Sequence, residues 1–504
     1  MRSEIPNPGL SRFRGERISA LIPVGLLVVG LPWGIWSVYA LLGGGGSQSV
    51  EFDVAGGWFA LLAAGYLGLH GLRGMAWTSV PALLTFEGLV GFVVIPAWRF
   101  ASGDDVLDST YVHAIILALL GFIAFWIASL ILIKESSFQF SPRHKDTPDR
   151  IAFMSVSMLG LGVVGNLILW KAGLYGYTSD MGVRASSLGF IQWLSFLASL
   201  LGAALVVSAI EVIGKRSAGG VIGIVFWLSL LSSIGFGVIA GMKSSMLFPL
   251  LYVILIYCII KKRMPRTALL LPLFLIVLVY PFVSAFRVNL NAGYRAQFNT
   301  IGGLEATVAQ SFEDAFQSFG ATTAQAESLN SQDATNRLSY LSYLRDVIGL
   351  PAPSMLNGEE KVWLAPIYPL VPRFLWKGKP VLDKGMRLAS LLGNPGGGTS
   401  AALTPIGDLF AMYGTYGVLI GMFVWGACIQ LYMNWIGSRN ISERSLFVYT
   451  LMLQILLNFE SDVVGIVASA VQNVILVVIL SYAIYGHRSA PPIIATSRNR
   501  IGAQ

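Results

Sequence analysis

An all-α polytopic membrane protein is the fold class this sequence predicts, and three observations predict it. Of 504 residues, 55% are hydrophobic and only 12% charged, about half the charged share of a soluble domain. Apolar runs of about 20 residues recur along the chain, each long enough to cross a bilayer as a helix. Lysine and arginine then alternate between abundance and scarcity in the short connections, the pattern of a chain threaded back and forth through a membrane.

Twelve candidate spans follow, near 18–42, 54–72, 79–100, 111–133, 151–171, 188–212, 220–240, 246–260, 267–286, 409–435, 445–459 and 464–485. The second, eighth and eleventh are short or interrupted by glycine. The first follows Arg2, Arg12, Arg14 and Arg17 and is too long for the core of a signal peptide, so it reads as a retained span. One set of connections collects Arg73, Lys134, Arg143, Lys145, Arg150, Lys215, Arg216, Lys261, Lys262, Arg263, Arg266, Arg439 and Arg444. The short connections on the other side hold Arg99, Lys171, Arg184 and Lys243. The positive-inside rule therefore puts both termini in the cytoplasm. The chain divides into an N-terminal bundle of about nine spans (1–286), a large extracytoplasmic loop (287–408), and C-terminal spans with a cytoplasmic tail (409–504).

The net charge of +8 belongs to those inside connections, and nucleic-acid binding is a poor reading of it. Cys258 and Cys428 lie in apolar runs and suggest neither a disulfide nor a metal site. The four histidines, His70, His113, His144 and His487, have no ligand spacing. No nucleotide or metal motif is found, so the sequence calls for no cofactor.

The large loop carries the chemistry. It opens with Arg287 and Arg295. An amphipathic helix is expected from Gly303 to Gly320, with Val308, Phe312, Phe316 and Phe319 on its apolar face. A second is expected after Asp333, with Leu338, Leu341, Leu344 and Val347 on one side, ended by Pro351 and Pro353. Between Lys361 and Arg387 stand six cations, Lys361, Arg373, Lys377, Lys379, Lys384 and Arg387, against the single acid Asp383. Trp363, Tyr368, Phe374 and Trp376 interleave with them. Such a segment suits an interfacial anchor. It suits equally a phosphate-bearing sugar ligand, since arginine grips phosphate through paired N–H groups and aromatic faces stack on sugar rings. Lys243, in the tight turn Gly241 to Ser245, is either a snorkelling lysine or a cation on the floor of an outward cavity. Arg184 lies in a connection with Tyr175, Tyr177 and Asp180. Asp408 stands where the tenth span begins, as a helix N-terminal charge or as a base toward a sugar hydroxyl. Glu460 and Asp462 occupy the outer turn between the last two spans.

The run Pro372-Arg373-Phe374-Leu375-Trp376-Lys377-Gly378-Lys379-Pro380 resembles a motif of the oligosaccharide repeat-unit polymerases of the Wzy type. The likeness extends to Gly407 and Asp408 followed by Tyr413, Gly414, Tyr416 and Gly417, to the Gly241–Lys243 turn, and to the exit from span nine, Tyr280 to Arg287. Lys377 and Gly378 stand where the family pattern suggests an acid or proline, and Asp408 where it suggests Glu. The resemblance implies a metal-independent glycosyltransferase of GT-C-like architecture in the bacterial inner membrane, with its active site facing the periplasm. It would build O-antigen, capsule or exopolysaccharide from undecaprenyl-diphosphate-linked oligosaccharides, with membrane lipids around it and a chain-length regulator and flippase as partners. On that reading Arg373, Asp408 and Arg287 are the catalytic candidates. Arg295, Lys243, Trp376, Lys377, Lys379 and Arg184 are the substrate- and diphosphate-binding candidates. A glycan ligase of the same build shares these features; a lipid-linked oligosaccharide flippase is the alternative from another class, against which the absence of an internal repeat argues.

Overall fold

The computed structural model describes residues 48–72, 78–103, 105–134, 140, 148–176, 188–215, 220–262, 282–283, 285–287, 289–290, 300–320, 339–358, 360–371, 375–376, 378–380, 382, 384–393, 402–437 and 441–486. The protein is an all-α polytopic membrane protein: 83% helical and without strands among the described residues. The helices are α1 (Gln48–Leu72), α2 (Val80–Ser102), α3 (Ser109–Leu132), α4 (Pro148–Lys171), α5 (Leu188–Lys215), α6 (Gly220–Ala240) and α7 (Lys243–Lys261). There follow α8 (Ile301–Gly320), α9 (Tyr340–Ile348), α10 (Lys384–Leu391), α11 (Pro405–Gly437), α12 (Glu443–Leu456) and α13 (Val463–Tyr485).

Nine of the described helices, α1 to α7, α11 and α13, are long and apolar enough to cross a membrane. They coincide with nine of the twelve expected spans. The span expected at 18–42 lies outside the described residues, as does nearly all of the one at 267–286. The eleventh forms as α12, but over 14 residues only. At 1.5 Å per residue it is about 21 Å long, short of a bilayer core of about 30 Å. It stops below the end of its neighbours and turns over 457–462 into α13.

Because lipid supplies no hydrophobic drive between helices, close backbone approach and buried hydrogen bonds hold them together. On α4, a Cβ added at Gly162 would lie 2.4 Å from Leu201 N, and one at Gly165 would lie 2.7 Å from Ala198 N. Asn166 seals that α4–α5 contact by donating to Ala198 O at 3.1 Å. At the α3–α11 crossing, a Cβ on Gly426 would meet Phe125 O at 2.4 Å. A polar thread joins α1, α3 and α11: Ser129 Oγ donates to Gln430 Oε1 at 2.9 Å. Tyr66, 2.7 Å from the same Oγ, is therefore its donor.

The ends of the helices sort onto two faces. On one, Asn434 donates to Leu132 O at 2.6 Å, Arg150 to Ala483 O at 2.6 Å, and Arg444 lies 3.4 Å from the Tyr482 ring centroid. On the opposite face gather the 103–108 turn, the Gly241 turn, α8, α9 and α10. Helix α8 packs there on the end of the ninth expected span, where Asn289 donates to Ser311 Oγ at 3.2 Å and to Asp314 Oδ2 at 2.8 Å, within an apolar cluster that includes Trp170 and Met246. Its inward face is the expected one in part: Val308 joins the apolar cluster there and Phe312 lies 4.5 Å from Phe282 between ring centroids. Thr307 and Ser311 are fully buried and Ala315 nearly so, their hydroxyls folded back onto the carbonyls of Gly303 and Thr307, while Phe316 is 65% exposed. Small residues let the helix lie close along that stripe, and Phe316 falls to the side; the Phe319 side chain lies outside the described residues. Helix α9 has the expected face over its described residues, Leu341, Leu344 and Val347 being fully buried; Leu338 lies outside them.

Two irregularities shape the region between these faces. Helix α2 opens into a π turn at Val90–Val94, and Gly91 within it receives Tyr340, the first residue of α9. A Cβ there would lie 2.3 Å from Tyr340 Cδ2. Gly91→Ala should therefore force the ring to move, lowering stability by about 1–3 kcal/mol. Gly65→Ala on α1, with open space around it, should be neutral or slightly stabilising. Thermal unfolding of both variants in detergent checks the pair. The second irregularity is Gly414, at φ 64° and ψ −156°, where α11 reverses. Its first nine residues double back along the rest, since a Cβ on Gly421 would lie 2.5 Å from Leu409 Cδ2.

Candidate functional site

The doubled-back start of α11 descends into the bundle. Ile406 Cδ1 comes within 3.5 Å of a Cβ built on Gly121, twelve residues and so roughly 18 Å along α3 from its start at Ser109. Beside it the 457–462 turn reaches a similar depth. Phe459 packs against Phe92, Phe122 and Tyr340 with ring centroids 5.8–6.0 Å apart. Leu403 N donates to Glu460 O at 3.3 Å, which joins the two descending segments. They form a recessed floor below the ends of the longer helices.

Three carboxylates line this floor. Asp408 has no exposed surface; its Oδ1 is 2.6 Å from Lys384 Nζ and its Oδ2 accepts from Val463 N at 2.9 Å. Lys384 itself is 1% exposed. One buried ion pair thus ties α10, which belongs to the cationic loop, to the starts of α11 and α13. Glu87 on α2 accepts from Tyr340 Oη at 2.8 Å. Glu460 is exposed on the 457–462 turn.

Above the floor, Arg99 grips Asp105 side-on through Nε and Nη2, at 2.7 and 2.9 Å. Arg345 donates to Tyr111 Oη at 3.0 Å and to Asp346 Oδ1 at 2.9 Å. Burial would raise the Asp105 carboxyl, but hydrogen bonds from Arg99 and Tyr111 bring it below the ordinary carboxylate range. Burial does raise Asp346, more than its neighbour Arg345 lowers it. This balanced network fixes α9 to the ends of α2 and α3, a fastening role.

Residues 166–485, well over half the chain, match the model of a family described as a domain of unknown function (DUF8712). The chain belongs to that family. No curated protein and no solved structure matches it. The matched stretch contains Tyr340, Lys384, Asp408 and Glu460. Glu87, Arg99, Asp105 and Tyr111 come from the helices that precede it.

The site residues named from sequence divide into three groups. Arg373, Lys377, Arg295 and Arg184 lie outside the described residues. Lys243 opens α7, and its side chain is likewise outside them. The others are placed. Arg287 Nε donates to Gly241 O at 3.0 Å, so the end of span nine and the Gly241–Lys243 turn meet, as two pieces of one mouth. Trp376 is half-buried against Tyr368, ring centroids 5.7 Å apart, and packs on the start of α13. Lys379 Nζ donates to Val371 O at 3.1 Å. Asp408 departs from the expectation of a base facing the acceptor. Its two oxygens are engaged inside the protein and none of its surface is open, so in this arrangement it is a positioning group.

Sequence reasoning missed the partners. Lys384 counts among the six cations between Lys361 and Arg387 and is the counter-ion of Asp408. Arg387 bonds Leu356 O at 2.9 Å and pairs with Glu360, an acid one residue before the segment in which charge was counted. Glu87 drew no attention because a single acid inside an apolar run has no motif. Among the described residues no cluster of histidine, cysteine or acidic side chains could hold a metal ion.

Proposed function

We propose that this protein polymerises undecaprenyl-diphosphate-linked oligosaccharide repeat units into O-antigen, capsule or exopolysaccharide at the outer face of the bacterial inner membrane. The observation that carries the reading is the fastening of the aromatic, cation-bearing loop beside a recessed carboxylate floor, through Lys384–Asp408 and the packing of Tyr368 and Trp376 on Val464 of α13. An anionic leaving group and a sugar hydroxyl need those two kinds of group side by side. On this reading the chain has twelve crossings, with α12 and its turn as the eleventh, both termini cytoplasmic, and a GT-C-like build.

The chemistry is a displacement at the anomeric carbon. The acceptor hydroxyl gives up its proton as its oxygen bonds the sugar, and the bond to the diphosphate breaks with both electrons on the departing phosphate. Arg373, with Arg287 and Arg295, stabilises that charge, and Lys243, Lys377 and Lys379 add to the local potential. Glu460, exposed on the floor, replaces Asp408 as the group that takes the proton. No metal is needed in this scheme, the guanidinium groups doing its electrostatic work.

A chromosomal deletion tests it. The expected result is loss of the ladder of polymer bands, leaving single repeat units, with restoration by the wild-type gene. Free lipid-linked polymer accumulating instead would identify a ligase, and an unchanged glycan profile would overturn the proposal.

A further inference from the structure

Residues 361–371 form a run of tight turns with two chemically distinct faces. Leu364 N bonds Lys361 O at 3.0 Å, Ile367 N bonds Leu364 O at 2.8 Å, and Leu370 N bonds Ile367 O at 3.0 Å. Tyr368 N and Val371 N reach back four residues, to Leu364 O and Ile367 O. The run is therefore near-helical, and residues three and four apart share a side. One side holds Ala365 and Tyr368, 0% and 2% exposed, clustered with Val464. The other presents Trp363, Ile367 and Leu370, 64%, 43% and 53% exposed, continued by Leu375 at 70%.

An apolar face of this kind needs an occupant, and its position says which. Val464 is the second residue of membrane-spanning α13, and Ile475 and Ile479, 11 and 15 residues on, lie within about 60° of it around that helix, so the Ala365–Tyr368 contact lays the run over that side of α13. Farther down the same helix, Val474, Ile475 and Ile479 are exposed, as befits a side facing lipid. Cations flank the face: Lys361 Nζ lies 5.7 Å from the centroid of the Trp363 ring, and Lys379 closes onto Val371. Tryptophan and lysine stems beside aliphatic side chains match the headgroup boundary, with phosphates for the ammonium groups and the first methylenes for the rest.

We propose that this face rests in the headgroup–hydrocarbon boundary of the bilayer, with bulk phospholipid as its occupant. The extracytoplasmic loop is then held by lipid on one side and by α13 on the other. This fixes its height above the membrane. The claim does not depend on the glycan chemistry, and the test below does not measure it.

Single nitroxide labels at Trp363→Cys, Ile367→Cys, Leu370→Cys and Leu375→Cys, in full-length protein carrying Cys258→Ala and Cys428→Ala, test it. A label at Ile479→Cys serves as the lipid-facing reference. The protein is reconstituted in phosphatidylethanolamine–phosphatidylglycerol vesicles without polyprenyl lipid, and collisions with oxygen and with a water-soluble nickel chelate are measured. The expected result is an oxygen collision frequency several-fold above that of the nickel complex at 363, 367 and 370, approaching the ratio at 479. Nickel collisions as frequent as those of oxygen would place the face in water and overturn the proposal. Labels closed to both reagents would mean that protein covers it, which also overturns it. So would a lipid-like ratio that emerges only after undecaprenyl phosphate is added, since the occupant would then be the substrate's own chain.

Discussion

Lys384→Met should unfold at a markedly lower temperature than the wild type, having lost about 3–5 kcal/mol, the usual consequence of stranding one member of a buried ion pair. The Asp408 carboxylate would keep its bond from Val463 N but lose the ammonium 2.6 Å away, with no exposed surface through which water could compensate. Adding Asp408→Asn should recover most of the loss. The asparagine oxygen can still accept from Val463 N, and no net charge remains buried. Thermal unfolding of the single and double variants, followed by size-exclusion elution in detergent, measures this. If the double variant were as unstable as Lys384→Met, stranded charge would not be the source of the defect. A buried pair is seldom the most stable filling for such a space. Its effect here is geometric: it holds α10, α11 and α13 together at the base of the loop.

That pair also marks how far the sequence could be read. Apolar runs identify most of the crossings because lipid imposes one simple requirement on every helix that spans it. One turn and one helix face break the rule for reasons hydropathy does not register. Residues 405–436 make one apolar run, yet Gly414 takes a left-handed φ and sends the first nine residues back along the rest. Asp408 thereby leaves the membrane edge, where sequence puts it, for the interior. In α8 the most deeply buried side chains are Thr307, Ser311 and Ala315, beside the expected Val308 and Phe312, since close helix packing favours small side chains at the contact. Pairings such as Lys384 with Asp408, Arg387 with Glu360, and Tyr340 with Glu87 join residues distant in sequence or read as belonging to different units. Charge counted within a window cannot find them. Arg287 and the Gly241 turn each read from sequence as an end of a span, but their meeting, Arg287 Nε on Gly241 O, depends on packing that sequence does not state.

Arg373→Ala should reduce polymer on the order of a hundredfold, the scale seen when one donor to a developing negative charge is removed, while membrane insertion and protein level stay as in wild type. The residues that bracket it are held: Val371 O and Lys379 Nζ are joined at 3.1 Å, and Trp376 is seated on Tyr368. Among the described residues, these contacts fasten the loop through its neighbours, and on the proposed reading the removal of Arg373 acts on the ligand more than on the fold. Arg373→Lys separates charge from shape. A lysine keeps the charge but offers a point contact where guanidinium offers two parallel N–H groups to a phosphate. If the diphosphate is gripped in that bidentate way, the lysine variant should be nearly as poor as alanine. If only the local potential matters, it should retain most activity. Band ladders from cells expressing each variant at matched membrane abundance distinguish the two, and full-length polymer from Arg373→Ala would remove this residue from the mechanism altogether. Arg387→Ala is the useful comparison. Its guanidinium bonds Leu356 O and pairs with Glu360, so its loss should lower thermal stability together with polymer, whereas Arg373→Ala should lower polymer alone.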